Sequence, residues 1–591
     1  MNRWFRLSIA ALVCAAVARP LAAQTFPTDD PVIKRLYALG MDSTGLFTEA
    51  HSLFDSLGPR LMGSPNLKSA QDWLVRMYGA WGIPAKEEQY GTWRGWRRGY
   101  SHIDLVAPRV RTLEGTMLGY SPGTNKKDLT AEAVVLPRFA DSTEFVKWLP
   151  QARGKLVMVS APLPTCRPQD DWDFNATPAA YAKMDSQMVA VQREWSGRNV
   201  RGTGYSLALG GGELAVRLEQ GGVAGVISSR PKLAWRMVNF GAARPAPGGG
   251  FGGLGGAPNT GWGTMEVFET YTTKVPTIGL SCEDYGMVAR LAESGDRPMI
   301  RMNLDATLLG EQPVFNVVAS IKGEQQPDEY VMLSAHFDSW DGSSGATDNG
   351  TGTLTMLEAM RILKLAYPHP RRTIMVGHWS GEEEGEVGSK AFTEDHPEVL
   401  KGLQALFNQD NGTGRIAQIG GAGLVHSPEH INPWLDRIPV EFKDMLRFGG
   451  PGRPAGGGSD DFSFGCNGLP AFGLGSTGWD YGNVTWHTER DTYDKVVFDD
   501  LKFNATLTAM LVYLASEDPE RIPLDRVDLA AQAAAQAAAF QRRVDSLRAV
   551  SPRAADSLAA TANAFGGRFR GNSGAWPVCE KAPRVTSPRL K

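Results

Sequence analysis

The chain has 591 residues, of which 42% are hydrophobic and 21% charged, and its formal net charge at pH 7 is −3. This length exceeds one ordinary domain, so we expect roughly two or three domains with a globular composition. Because positive and negative residues are mixed along the chain, the charge balance argues against a nucleic acid or another polyanion as partner.

The N-terminus has the pattern of a secretory signal. Arg3 and Arg6 precede an apolar stretch at residues 7–17, and small residues lead to a cleavage site near Ala23. The stretch is too short to span a membrane stably, and no other run in the sequence is apolar enough to span one. We predict a signal peptide over residues 1–23 and a secreted or periplasmic protein, with a buried N-terminal helix as the alternative.

Four cysteines follow the predicted signal peptide, namely Cys166, Cys282, Cys466 and Cys579. Their spacing predicts neither a disulfide framework nor a CxxC metal site. The sequence leaves open whether Cys166 and Cys282 pair.

The pattern of predicted helices and strands changes near residue 126. Residues 43–80 have a helical pattern that is interrupted by "GPRLMGSP" at 58–65, and short strand-like runs follow between 84 and 120. After residue 126 the sequence predicts the buried strands "GKLVMVS" and "VAGVISS", a helix at "ELAVRLEQGG", and a glycine-rich loop at 248–263. We interpret this region as a smaller inserted domain.

From about residue 306 apolar strands alternate with helices. Strands are predicted at "DEYVMLSAHFD", "RRTIMVGHWS" and "GLQALFNQD", with helices at "GTGTLTMLEAMRILKLAY" and "GSKAFTEDH" between them. This alternation implies a parallel sheet with helices on both faces, in which ligands bind at the carboxyl ends of the strands. After residue 518 the run "DLAAQAAAQAAAFQRRVDSLRAV" predicts a helix that packs on the body or on a second subunit.

Acidic residues and one histidine follow the three predicted strands. The first strand ends at His336 and Asp338, the second at Glu382 and Glu383, and the third at Asp410. Polar residues at three successive strand ends are hard to explain as solvated loops. The sequence therefore predicts a functional site at this edge of the sheet.

Two further residues extend this set, although each has a structural alternative. Asp348 lies in the glycine-rich turn "SGATDNGTG", where it could cap the next helix, and His487 in "TWHTERDTYDK" could lie in a surface loop. With His336, Asp338 and Asp410 they make two histidines and three acids, a set that suits two divalent ions sharing one carboxylate. Nitrogen and carboxylate ligands without thiolate fit zinc best, with manganese or cobalt as alternatives.

Three successive glutamates, Glu382 to Glu384, stand directly after a buried strand. Adjacent like charges beside apolar residues are costly unless cations neutralise them. One glutamate can then bind metal while its neighbour takes a proton from a bridging water. The spacing alone does not decide which glutamate has which role.

The motifs "AHFDSW", "GATDNGTG", "GEEEGEVGS", "NQDNG" and "WHTERDTYDK" resemble, in this order, those of the co-catalytic zinc exopeptidases. That family includes secreted bacterial aminopeptidases, carboxypeptidase Q, glutamate carboxypeptidase II and the transferrin receptor, and the resemblance covers about residues 43–515. It implies an α/β fold with a mixed, mainly parallel sheet sandwiched by helices, and an inserted, smaller, β-rich protease-associated domain. The predicted organisation is a signal peptide at 1–23, a first segment of the peptidase domain at 24–125, the protease-associated insertion at 126–305, the second and catalytic segment of the peptidase domain at 306–518, and a C-terminal helical extension and tail at 519–591.

The resemblance also implies the roles of the metal ligands. His336 and Asp410 would bind one Zn²⁺ ion, Glu383 and His487 would bind the other, and Asp348 would bridge the two.

Other residues follow from the same resemblance. Glu382 aligns with the general base of the family, and Asp338 aligns with the acid that orients His336. Glu384 is expected to be peripheral. Asp461 in "GGGSDDFSFG" stands where relatives often have a histidine, which is a departure from the family pattern.

The implied function is hydrolysis of a terminal bond in a peptide substrate, with aminopeptidase action slightly favoured over carboxypeptidase action. Two alternatives stay open, a glutaminyl cyclase on the same fold that works with one zinc, and a catalytically inactive, receptor-like binding protein. Side-chain specificity and a homo-oligomeric state are likewise open.

Overall fold

The computed structural model describes residues 28–125, 127–196, 213–229, 270, 272–479, 481–551 and 575–585. The predicted signal peptide and the glycine-rich loop at 248–263 lie outside these residues. Within the described ranges, we find no helix that is both long enough and apolar enough to cross a bilayer.

Helices cover much of the described chain. In chain order they are α1 (Pro31–Asp42), α2 (Leu46–Ala50), α3 (Pro65–Ala80), α4 (Ser142–Trp148), α5 (Gln169–Asn175), α6 (Pro178–Ser196), α7 (Glu213–Gln220), α8 (Cys282–Glu293), α9 (Thr351–Ala366), α10 (Val387–Asp395), α11 (Pro397–Gly402), α12 (Ser427–Arg437), α13 (Val440–Lys443), α14 (Asp461–Gly465), α15 (Tyr481–Val484), α16 (Phe498–Glu517) and α17 (Leu529–Val550).

The strands form one continuous network of pairing. In chain order they are β1 (Ala85–Ala107), β2 (Arg111–Thr112), β3 (Gly115–Met117), β4 (Leu129–Val135), β5 (Leu156–Met158), β6 (Gly225–Ser228), β7 (Thr277–Leu280), β8 (Met299–Ile321), β9 (Gln326–His336), β10 (Arg372–Trp379), β11 (Leu403–Asn408), β12 (Ile416–Ile419), β13 (Arg447–Phe448) and β14 (Ala471–Ser476).

The order across the sheet is β13-β12-β14-β11-β9-β10-β8-β4-β5-β6-β7-β3, and β1 pairs with β8 outside this path. At its centre β9 is parallel to both β10 and β11, and β11 is parallel to β14. The pairs β8–β10 and β12–β14 are antiparallel. The predicted α/β fold with a mixed, mainly parallel sheet is therefore confirmed.

The region predicted to hold several short strands, residues 84–120, instead begins with the single 23-residue strand β1. It pairs antiparallel with β8 along most of its length, with register shifts between Gln89 and Gly91 and between Gly95 and Trp96. The first shift leaves Tyr90 as an extra residue on β1 and moves later β1 side chains to the other face, whereas the second leaves Leu309 as an extra residue on β8. The alternation of apolar residues therefore breaks, and one long strand has the pattern of several short ones.

Two separate groups of buried side chains lie along β1 and β8. Trp96 and Val317 belong to the larger core, which the helices α1, α3, α9 and α16 cover, whereas Ile103 and Ile300 belong to a smaller core together with Ile278. The smaller core thus includes β1 residues that precede position 126. The predicted domain boundaries at 126 and 305 remain a prediction.

Two disulfides, Cys166–Cys282 and Cys466–Cys579, join distant regions of the chain. The expectation that these cysteines do not form a disulfide framework is wrong. The partners are 116 and 113 residues apart, and such contacts depend on the fold and leave no pattern in the local spacing. Disulfides persist in oxidising compartments, which fits an extracellular location.

Glu49 on α2 is a buried carboxylate that lowers stability when it ionises. It is 6% exposed, and its Oε2 atom has no hydrogen-bond partner among the described residues. Burial and the charge of Glu358 raise the pKa of Glu49 to about 7, and Arg361 partly offsets them. Because this pKa exceeds that of a carboxyl group in the unfolded chain, stability falls as the pH rises from about 4.3 through 7.

We predict that Glu49→Gln stabilises the protein more at higher pH, because the amide does not ionise. The gain in free energy of unfolding over wild type should be about 1 kcal/mol at pH 5 and about 3 kcal/mol at pH 8. Thermal unfolding at both pH values with saturating Zn²⁺ measures it, and exposed Glu311→Gln is the control. An equal gain at both pH values contradicts the prediction.

Candidate metal centre

Three neighbouring parallel strands bring the predicted site residues to one edge of the sheet. β9 ends at His336, β10 ends at Trp379 shortly before Glu382, and β11 ends at Asn408 shortly before Asp410. Since β9 lies between the other two strands, the three carboxyl ends are adjacent.

His336, Asp348 and Asp410 form the first group of candidate ligands. His336 is fully buried, and its Nε2 atom lies 3.0 Å from Asp410 Oδ1 and 3.4 Å from Asp348 Oδ1. Its other ring nitrogen, Nδ1, lies 3.1 Å from the backbone oxygen of Asp338. A proton on Nδ1 donated to that oxygen leaves the Nε2 lone pair facing the two carboxylates.

Asp348, Glu383 and His487 form the second group. His487 Nε2 lies 3.0 Å from Glu383 Oε2 and 3.3 Å from Asp348 Oδ2. The two oxygens of Asp348 thus face different histidines, so this carboxylate belongs to both groups. Within each group the candidate ligand atoms all lie within 4.8 Å of one another, as expected for ligands around one ion.

The chemistry of these side chains fits divalent cations. Asp348 Oδ2 and Glu383 Oε1 are buried and have no hydrogen-bond partner among the described residues. Burial, and then the charge of Asp348, raises the pKa of Glu383 to about 7, which reflects the cost of a buried negative charge. A bound cation would satisfy these oxygens and lower that pKa. Imidazole and carboxylate ligands suit zinc.

Glu382 lies beside the ligands but belongs to neither group. Burial raises its pKa well above the usual range, His336 acts in the opposite direction, and Asp410 raises the pKa further. Glu382 is therefore a carboxylate that can accept a proton at the site while its neighbour Glu383 is a ligand candidate.

The Asp338 carboxylate holds the backbone of the glutamate run. Its oxygens accept hydrogen bonds from the amides of Glu382, at 3.2 Å, and Glu383, at 3.3 Å. The same carboxylate lies 3.6 Å from His336 Nδ1, farther than the Asp338 backbone oxygen does. Asp338 thus contacts His336 mainly through its main chain, and its side chain positions the loop that carries the base candidate.

Glu384 points away from both ligand groups. Its Oε1 atom accepts a hydrogen bond of 2.7 Å from the Tyr120 hydroxyl, which also lies 2.7 Å from the backbone oxygen of Met62. This contact supports the prediction that Glu384 is peripheral.

Residues with no role predicted from the sequence complete the surroundings. Trp340 and Asp491 line a small cavity together with Asp348, Glu383 and His487. Asp491 belongs to the quoted motif "WHTERDTYDK", four residues after His487, and that position is its only signal in the sequence. Arg60 belongs to "GPRLMGSP", whose glycines and proline indicate only a helix break.

Comparison with known proteins finds similarity to one peptidase family. Residues 316–512 match the model of peptidase family M28. Carboxypeptidase Q from Bos taurus is 24% identical over 472 residues, which cover 80% of this chain and 85% of that protein. Carboxypeptidase Q from Xenopus laevis is 28% identical over 368 residues, but this match covers 61% of this chain and 63% of that protein.

The fold agrees with this match. The crystal structure of a peptidase M28 precursor from Shewanella amazonensis is similar, with a TM-score of 0.56 and 25% identity over 84% of this chain and 98% of that one. Residues 316–512 thus match peptidase family M28, and the comparisons support a zinc-dependent exopeptidase. A zinc aminopeptidase from Bacillus subtilis shares this M28 fold, with a TM-score of 0.50 and 18% identity over 82% of this chain and 97% of that one.

We predict that this protein binds Zn²⁺ through the shared carboxylate of Asp348. After treatment with a chelator, added Zn²⁺ should raise the unfolding temperature of wild type, because a ligand that binds only the folded state stabilises it. Asp348→Ala should show no such rise, whereas the exposed control Asp444→Ala should behave as wild type does. An unchanged response of Asp348→Ala in differential scanning fluorimetry contradicts the assignment.

Proposed function

We propose that this protein is a secreted or periplasmic exopeptidase that uses two Zn²⁺ ions and reads the N-terminus of its peptide substrate. Asp348 carries the proposal, because its two oxygens face His336 at 3.4 Å and His487 at 3.3 Å. A single carboxylate between two histidines is the arrangement that two neighbouring ions require.

Each ion would have its own ligands beside the shared one. His336 and Asp410 would hold the first ion, Glu383 and His487 would hold the second, and Asp348 would contact both. Bound there, the ions would polarise the carbonyl of the scissile peptide bond and make a water molecule more acidic.

Glu382 would move the proton. Its carboxylate accepts a proton from the attacking water and later gives it to the nitrogen of the leaving amine. Burial raises the pKa of Glu382, and the charge of Asp410 acts in the same direction, which favours proton uptake by this carboxylate. The hydrogen bonds from the amides of Glu382 and Glu383 to Asp338 keep this carboxylate next to the ligand groups.

The excess of acidic groups around the site favours an N-terminal substrate. Asp460 is fully buried and Asp461 partly so, and both lie near Asp410, whose charge raises the pKa of each in addition to the larger effect of burial. A positively charged α-ammonium group would stabilise their ionised forms, whereas a C-terminal carboxylate would meet like charge. This charge balance supports aminopeptidase action.

Carboxypeptidase action is the second candidate. It is favoured by the sequence similarity to proteins named carboxypeptidase Q, which covers 80% of this chain for the bovine protein. The convergence of five candidate ligands, with Glu382 beside them, favours either exopeptidase over a one-zinc cyclase and over an inactive binding protein.

We predict that Glu382→Gln separates metal binding from catalysis. The amide cannot accept the proton of the water, so kcat should fall by about 10²–10⁴ while the bound Zn²⁺ stays unchanged. Steady-state kinetics and metal analysis after dialysis measure the two quantities. Glu384→Gln, at the peripheral position, is the matched control and should keep most of the activity. Wild-type rates in Glu382→Gln would show that another group is the base.

We predict that blocking the N-terminus of a dipeptide abolishes cleavage, since acetylation removes the positive charge. N-acetyl dipeptides should lose at least about 100-fold in kcat/KM, and C-terminal amides should stay within about tenfold of the free dipeptides. The reverse order supports the carboxypeptidase candidate. If neither block lowers cleavage, the aminopeptidase and the carboxypeptidase candidates are both contradicted. The same holds if the protein cleaves no dipeptide with Zn²⁺ bound.

The acidic pair Asp460 and Asp461 gives a further test with the same substrates. Asp461→Asn should raise KM for peptides with a free N-terminus more than it lowers kcat, because it removes a charge that attracts the ammonium group. The exposed control Asp444→Asn should change neither parameter. An unchanged KM in Asp461→Asn removes Asp461 from substrate recognition.

A further inference from the structure

The loop between β9 and α9, residues 337–348, carries Asp348 and is almost completely buried. Phe337 and Ala346 are fully buried, and Thr347 is 1% exposed. A buried loop outside the sheet must find hydrogen-bond partners for its backbone groups elsewhere. We call these residues the ligand loop.

Arg60 supplies donors to the beginning and the middle of the ligand loop. Its guanidinium donates to the carbonyl oxygens of Phe337 at 2.7 Å, Ser344 at 2.7 Å and Gly345 at 2.9 Å. The backbone amide of Arg60 also donates to Ser339 Oγ at 3.0 Å. One fully buried side chain, 277 residues before Phe337 in the chain, therefore contacts the loop at both sides of its turn.

The guanidinium suits this role because of its shape and charge. It presents several N–H groups in a fixed plane, so it can bind carbonyls that converge from different directions. Gly345, one of the acceptors, has a φ of 56°, and a Cβ atom there would lie 2.3 Å from the Cβ of Ser339. The turn is thus so tight that only glycine fits, and Arg60 fills the space beside its carbonyls.

Asp491 holds the other end of the ligand loop with the opposite charge. Its Oδ1 atom accepts hydrogen bonds from the amide and the hydroxyl of Thr347, both at 2.7 Å, and its Oδ2 atom accepts one from the amide of Asp348 at 2.9 Å. The Asp491 backbone oxygen accepts a further bond of 3.3 Å from Ala346. Because Asp491 is only 2% exposed, these bonds are shielded from water.

The two contacts act on the same short piece of backbone. Arg60 fixes the carbonyls of Ser344 and Gly345, and Asp491 fixes the amides of Ala346, Thr347 and Asp348. The peptide group between Gly345 and Ala346 is held on both sides, and the next two peptide groups are held by their amides, so the backbone that leads into Asp348 has little freedom to rotate. The direction of the Asp348 carboxylate is thereby set by two side chains that are not themselves candidate ligands.

We propose that Arg60 and Asp491 are positioning residues that fix the ligand loop, so that the Asp348 carboxylate faces both ligand groups before any cation binds. The proposal rests on the proposed metal site. A ligand that is already in place loses less conformational freedom on binding the ion. Loss of either residue should therefore weaken metal binding, although neither side chain contacts the metal position.

The test compares metal-free wild type with Arg60→Lys and Asp491→Asn. Titration with Zn²⁺ against a chromophoric chelator gives the dissociation constant, and each variant should bind at least about tenfold more weakly. Hydrogen exchange of the amides at 344–349 in the metal-free protein should be faster in both variants. The matched controls are Arg372→Lys and Asp284→Asn, which should leave Zn²⁺ affinity and exchange at 344–349 unchanged.

The controls are chosen by environment. Arg372 is also fully buried and donates to a backbone oxygen, that of Ser516 at 2.9 Å, but it lies at the amino end of β10. Asp284 is 2% exposed and accepts from the amide of Glu114 at 2.7 Å in the smaller core. They separate a specific effect on the ligand loop from the general effect of changing a buried charged side chain.

Milder variants keep the test decisive if Arg60→Lys or Asp491→Asn does not fold. Ser339→Ala removes the acceptor of the Arg60 amide together with the hydrogen bond of the Ser339 hydroxyl to the backbone oxygen of Trp340. Thr347→Val removes the hydroxyl donor to Asp491 together with the hydrogen bond to the Thr485 hydroxyl. Each should show a smaller loss of Zn²⁺ affinity in the same direction.

The outcomes distinguish the two proposals. Wild-type Zn²⁺ affinity and unchanged exchange at 344–349 in the Arg60 and Asp491 variants overturn the positioning role, and so does an equal loss in the controls. If wild type itself binds no Zn²⁺, the proposed metal site fails. In that case the exchange at 344–349 in the metal-free protein still decides whether Arg60 and Asp491 fix the ligand loop.

Discussion

The structure depends on the cost of placing several carboxylates together at one buried edge of a sheet. Glu382 and Glu383 both have raised pKa values because burial disfavours their charged forms, and each is close to further acids. Without cations this edge would be a site of repulsion and unsatisfied oxygens, such as Asp348 Oδ2. Cation binding turns the same arrangement into a favourable one. The buried carboxylates that destabilise this edge without a cation are therefore the same groups that can bind metal and accept a proton.

Hydrogen bonds from the surrounding backbone hold these carboxylates in place. The Asp338 carboxylate accepts from the amides of Glu382 and Glu383, and Asp491 accepts from the amides of Thr347 and Asp348. In both places a carboxylate that is not a candidate ligand accepts hydrogen bonds from the backbone amides of a candidate ligand and of the residue before it. Hydrogen bonds of this kind are strong in a buried setting, and they hold the negatively charged side chains at fixed positions despite their mutual repulsion.

The long strands β1 and β8 connect this site with the smaller core. Their register shifts let one pair of strands contribute Trp96 and Val317 to the larger core, and Ile103 and Ile300 to the smaller one. The contact of Tyr120 with Glu384 then reaches from the segment after β3 to the glutamate run. Tyr120 belongs to the larger core, so this contact links the glutamate run to that core. The two disulfides add covalent links between regions of the chain more than 100 residues apart.

By itself, the sequence determined the alternating strands and helices after residue 306, because these elements follow from local periodicity. It also determined the positions of His336, Glu382, Glu383 and Asp410 at strand ends, because parallel strands share a common direction. Only the tertiary structure decided the pairing of the cysteines, the continuity of β1 and the contacts of Arg60 and Asp491. These depend on residues that are far apart in the chain, as Arg60 and Phe337 are, and on bulges that disturb the local pattern. A short stretch of sequence encodes which backbone shape is favourable, but a buried charge finds its partners only when the whole chain has folded around it.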